Sequence, residues 1–126
     1  MKQSKIALLA LTGMLGLILW ASMASAHAFP LSEQPRVGAT IKHPPSRVAI
    51  KYDSPIQKLF SKLQVLNSAG AEEASASPSV SSNQRTLSVK LKPLAPGTYK
   101  VRWVVVARDG HRTEGSYEFT VAGSDP

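Results

Sequence analysis

From His27 onward the chain repeats one pattern: short runs in which large apolar residues alternate with polar ones, with no helical period between them. Val48, Ile50 and Tyr52 alternate with Arg47, Ala49 and Lys51. Leu63 and Val65, then Leu87, Val89 and Leu91, do the same. Tyr99, Val101, Trp103 and Val105 form the longest run, and Tyr117, Phe119 and Val121 the last. A strand sends successive side chains to opposite faces, so each run reads as a strand with one buried and one wet face. Turn-formers separate the runs: Gly38, Pro44-Pro45, Asp53-Ser54-Pro55, Asn67 to Gly70, Pro93 to Gly97 and Asp109-Gly110. Residues 71–84 are rich in Ala and Ser and predict a loop with one short edge strand near Ser79 to Ser81. Short strands at this spacing predict an all-β sandwich or small barrel of about seven strands. Tyr99 and Trp103 fall on the inward face of their run and are expected to anchor the core.

The first stretch is different. Lys2 and Lys5 precede an apolar, uncharged run from Ile6 to Ala21, and small residues follow at Ala24 and Ala26. That order describes a secretory signal peptide cleaved after Ala26. The run is short of the ~20 residues a spanning helix needs. The expected organisation is a leader, residues 1–26, and one β-domain, residues 27–126.

Composition then removes several classes of function. There is no cysteine, so disulfides, thiolate metal sites and cysteine nucleophiles are excluded. All three methionines lie in the leader, which leaves the exported part without a soft sulfur ligand. The full chain carries a formal net charge of +7, and the leader holds two lysines and no acid, so the rest has a net charge of +5, from 8 acidic residues against 13 basic ones. They are scattered along the chain, which argues against a nucleic-acid partner.

Three histidines remain for chemistry: His27, His43 and His111. Cleavage after Ala26 would make His27 the first residue, offering an α-amine and an imidazole from one position. Both nitrogens must shed protons to bind a metal, so affinity should fall in acid. Asp109 and His111 flank Gly110 in a turn after the longest strand, where residues two apart can face one point. Amine, two imidazoles and a carboxylate form an N₃O set, the ligation that suits Cu(II), the divalent ion at the top of the affinity series. Missing sulfur donors argue against a dedicated Cu(I) site. His43 lies in the turn Lys42-His43-Pro44-Pro45, expected at the far end of the sheet from the N-terminus and therefore not a ligand. Asp53 reads as a turn former. Glu33 is a weaker candidate for a place beside His27.

These residues resemble the CopC family of periplasmic copper-binding proteins, including its small single-domain, YobA-like members. The matching positions run over the exported chain: His27-Ala28, Leu31-Ser32, Pro35, Gly38, Pro45-Ser46-Arg47-Val48, Leu94, Gly97-Thr98-Tyr99-Lys100-Val101, Trp103, Val105, Asp109-Gly110-His111, Gly115, Phe119 and Val121. The resemblance implies an Ig-like Greek-key β-sandwich or barrel. It also implies one Cu(II) per chain, held by the amine and imidazole of His27 with Asp109 and His111. It implies a periplasmic carrier or buffer in copper homeostasis and resistance, and a partner among inner-membrane copper transport proteins of the CopD kind. Two departures stand out. The Met-rich loop of Cu(I)-binding members is missing, which points to Cu(II) alone. Arg108 and Arg112 flank the Asp-Gly-His turn where the family often has Ser or Ala and Pro.

The expected role is binding without catalysis, by a monomer with no evident apolar patch. Two other classes fit the sequence less well. One is an envelope sandwich used only for protein contacts. The other is a copper oxygenase-like enzyme, to which Asp109 would deny an open metal position.

Overall fold

Wherever β-branched or aromatic residues alternate with polar ones, the chain runs extended and buries the apolar set. The computed structural model describes residues 27–123; the leader and the tail Ser124 to Pro126 lie outside the described residues. Eight strands follow: β1 Pro30–Gln34, β2 Thr40–Ile41, β3 Arg47–Tyr52, β4 Lys62–Leu66, β5 Ser79–Val80, β6 Thr86–Lys90, β7 Gly97–Val106 and β8 Arg112–Val121. The only helical element among the described residues is a 3-10 helix, Lys58–Phe60.

The strands form two four-stranded sheets, ordered β1-β3-β6-β5 and β2-β8-β7-β4. The chain crosses between sheets at β1 to β2, β2 to β3, β3 to β4, β4 to β5 and β6 to β7, a Greek-key sandwich. Seven strands match the expected elements, including the edge strand at Ser79. The eighth, β2, has two residues in parallel pairing with β8, too short to leave a period in the sequence.

The core fills the space between the sheets. Val48, Ile50 and Tyr52 of β3 and Leu87 and Val89 of β6 face Val65 of β4, Val101, Trp103 and Val105 of β7 and Phe119 and Val121 of β8 across the two sheets, all buried. Tyr99 stacks on Phe119 with centroids 5.5 Å apart, and Tyr52 meets Trp103 edge-on at 5.6 Å. Both expected core anchors are therefore in the core.

β8 starts earlier than its apolar pattern announces. Its first residues carry Thr113 and Gly115 where large apolar side chains would stand. Gly115 pairs with Trp103, and the indole occupies the space a side chain would take: a Cβ there would lie 2.6 Å from Cζ2. The β7–β8 hairpin closes at one end of the sandwich, where β3 ends and the N-terminal residues enter. His43 is exposed in the turn preceding β3, at the opposite end.

Candidate metal centre

The β7–β8 turn sets two of the three expected ligands. Ala107 N–H donates to the His111 carbonyl at 2.9 Å and Gly110 N–H to the Ala107 carbonyl at 3.0 Å, closing a tight hairpin. Gly110 takes φ +89°, a left-handed conformation that favours glycine. The bend brings Asp109 back over His111. The backbone N–H of His111 donates to Asp109 Oδ1 at 3.0 Å, and His111 Nδ1 lies 2.8 Å from Oδ2. With Nδ1 so engaged, Nε2 is the ring nitrogen left for a further bond. A carboxylate offers about four lone-pair sites, so Asp109 keeps capacity for a metal while holding the ring. The His111 hydrogen bonds, side chain first and then backbone, hold the Asp109 carboxyl below its ordinary value. The site is open: the His111 side chain is 64% exposed.

The N-terminal segment brings the third residue. Ala28 is fully buried, and its carbonyl accepts a 2.7 Å hydrogen bond from Thr113 Oγ1. Phe29 N–H donates to Asp53 Oδ1 at 2.8 Å, and Asp53 N–H returns a bond to the Phe29 carbonyl. These ties pin the chain one and two residues after His27. The His27 ring then stands 4.4 Å from that of His111, inclined at 70°, with Phe29 edge-on at 6.2 Å. One potential ligand atom from each of His27, Asp109 and His111 lies within 4.8 Å of the others. Two imidazoles and a carboxylate at this spacing can hold a divalent ion that favours nitrogen and oxygen.

The expected trio is thus assembled by elements far apart in sequence. His43 and Glu33 are outside it. Glu33 is half-buried, and its charge acts on Tyr52 and Tyr117. Both flanking arginines are engaged elsewhere: Arg112 pairs with Glu114 at 2.9 Å, and Arg108 donates to Gln84 Oε1 at 3.0 Å. Sequence reasoning missed Thr113 as the group that positions His27. No apolar signal marks the start of β8, and a hydroxyl reaching a distant carbonyl has no local pattern. Asp53 was legible as a turn former but not as the clamp on Phe29.

Comparisons with known proteins agree on one family. The CopC domain model matches residues 31–122, which include Asp109 and His111. Protein YobA of Escherichia coli (strain K12) is 31% identical over 99 residues, covering 76% of this chain and 79% of YobA. Copper transport protein CutJ of Bacillus subtilis (strain 168) is 28% identical over 102 residues, 79% of this chain. The chain spans only 19% of the length of CutJ. Among solved structures, CopC from Methylosinus trichosporium OB3b has a similar fold, with a TM-score of 0.73 at 27% identity, covering 79% of this chain and 98% of that one.

Proposed function

The chain belongs to the CopC family, and from that premise we propose that its exported part holds one Cu(II) ion through His27, Asp109 and His111. The observation that carries this reading is the gathering of these three side chains within 4.8 Å at one end of the sandwich. Cleavage after Ala26 adds the α-amine of His27 as a fourth donor. An N₃O set suits tetragonal Cu(II), and Cu(II) outcompetes other divalent ions at such donors. Cysteine is absent and every methionine precedes His27, so no soft sulfur is available for Cu(I). With Asp109 as the fourth donor the set is closed, which suits holding an ion rather than catalysis.

The exposed site suits loading and release. We therefore read the protein as a periplasmic carrier or buffer in copper homeostasis and resistance, exchanging its ion with an inner-membrane copper transport protein of the CopD kind. The relative CutJ carries copper transport in its name, which supports this placing.

The test is a Cu(II) titration of the form beginning at His27, followed by EPR, beside a form with Met placed before His27. One tight equivalent with a tetragonal N₃O signal, weakened or altered by the extra Met, is the expected result. Equal binding by both forms would show that the cleavage point or the donor assignment is wrong.

A further inference from the structure

One element at the copper end of the sandwich does no packing work. The 3-10 helix Lys58–Phe60 buries none of its residues. Leu59 is 84% exposed and Phe60 55% exposed. The two follow one another in Lys58-Leu59-Phe60-Ser61-Lys62, an apolar pair bracketed by exposed lysines. No Asp or Glu occurs from Ser54 to Ala71. Single exposed apolar residues are ordinary on a soluble protein. Two adjacent large ones on a turn that contributes nothing to the core are not explained by packing.

The turn is held out rather than loose. Gln57 N–H donates to the Val106 carbonyl at 2.8 Å, Gln57 Nε2 donates to the Ala107 carbonyl at 2.9 Å, and Ser61 Oγ donates to the Gln57 carbonyl at 2.6 Å. The tip is thereby fixed to the end of β7, which leads into the Asp109–His111 turn. Phe29, 52% exposed beside His27, lies at this same end, as does the exposed Arg108.

We propose that the Leu59–Phe60 tip inserts into the surface of an anionic phospholipid bilayer, with Lys58 and Lys62 on the headgroups. Insertion of a small apolar tip needs no matching shape, only apolar depth below and negative charge around it. A protein partner would need a patch of roughly 800 Å² per side, and a three-residue turn does not provide one. The inference does not depend on the copper reading, because the tip contains none of the proposed ligands.

The experiment is co-sedimentation of the metal-free form beginning at His27 with two kinds of vesicle. One kind contains phosphatidylglycerol and phosphatidylethanolamine, the other phosphatidylcholine alone. The expected result is binding to the anionic vesicles at low salt, much weaker binding to phosphatidylcholine, and loss in high salt. The double variant Leu59→Ser/Phe60→Ser should lose about tenfold or more of the partition at an unchanged melting temperature, since neither side chain is buried. Lys58→Gln/Lys62→Gln should lose severalfold and leave insertion shallow, read from the emission of a Phe60→Trp probe. The proposal is overturned if the wild type does not bind anionic vesicles, if the serine variant binds equally well, or if phosphatidylcholine serves as well. Because no metal is present, neither result bears on the copper titration, and failure of one reading leaves the other standing.

Discussion

Asp109 does two things at once. It gives one oxygen to the His111 backbone N–H and the other to Nδ1, and in the proposed site it also faces the ion. Asp109→Asn keeps the size and the turn but exchanges one oxygen for an amide that donates. That NH₂ would face Nδ1 and favour the tautomer with its proton on Nε2, the nitrogen wanted for copper. Second-sphere partners of this kind are worth about 10–100-fold in affinity. The expected outcome is therefore a fall of at least that size in Cu(II) affinity by competitive titration, with an unchanged fold by circular dichroism. Binding within a few-fold of wild type would show that Asp109 neither ligates nor sets the ring. The same carboxyl is held below its ordinary value, so it stays ionised at every pH above the ordinary carboxylate range. Across the pH range above the carboxylate values, any loss of copper on acidification should then owe nothing to protonation of Asp109. Plots of log affinity against pH for wild type and Asp109→Asn should run parallel over that range. A shallower slope in the variant would mean that Asp109 itself titrates there.

The hairpin β7–β8 is the element that makes the site, and its first register pairs are set by an unusual fit. Trp103 lies over Gly115, and any Cβ at that position would meet ring atoms at 2.6 and 2.8 Å. Tyr52 packs edge-on against the indole at 5.6 Å and restricts its movement on that side. Gly115→Ala is thus an overpacking change, expected to cost about 1–3 kcal/mol. For a domain of this size each kilocalorie lowers the melting temperature by roughly 4–8 °C, which calorimetry would read. An unchanged melting temperature would mean that the strand pair gives way easily and that the fit is not needed. The same hairpin shows what was legible beforehand. Tyr99 to Trp103 alternate strictly, so the inward face of β7 follows from period two. Asp109-Gly110-His111 marks the turn, and His27 marks itself by standing after a cleavage pattern. The early part of β8 was hidden because its inward positions hold Thr113 and Gly115, whose space is filled by side chains from elsewhere. β2 was hidden because two residues cannot show a period. The tie from Thr113 to Ala28 joins residues 85 positions apart and exists only after the sheets pack.

Across the whole molecule, stability rests on the layer between two sheets, with no disulfide to support it. That layer contains three phenols, of which Tyr99 donates its hydroxyl to the Ala95 carbonyl. Tyr52 is fully buried and Tyr117 is 8% exposed, and neither hydroxyl has a hydrogen-bond partner among the described residues. Burial is the main cause that raises both above the ordinary tyrosine value. For Tyr52 the neighbouring Tyr117 and then Glu33 add to the rise, and for Tyr117 Glu33 does. A raised native value gives stability that is fully present below the unfolded value of about 10 and is lost as pH climbs toward the native one. In the unfolded chain both phenols ionise above that pH, whereas in the native core they stay neutral. Each then withdraws about 1.4 kcal/mol per pH unit. Urea unfolding is expected to give a level stability up to about pH 10 and a steep decline beyond it. Tyr52→Phe removes a hydroxyl with no partner among the described residues, so at neutral pH it should cost little or even stabilise. Above about pH 10 it should remove the Tyr52 share of the slope and leave those of Tyr117 and Tyr99, which burial also raises. A decline equally steep in Tyr52→Phe and in wild type would assign the alkaline loss to groups outside the core, and the two buried hydroxyls would then have to find partners that the packing of the sheets does not supply.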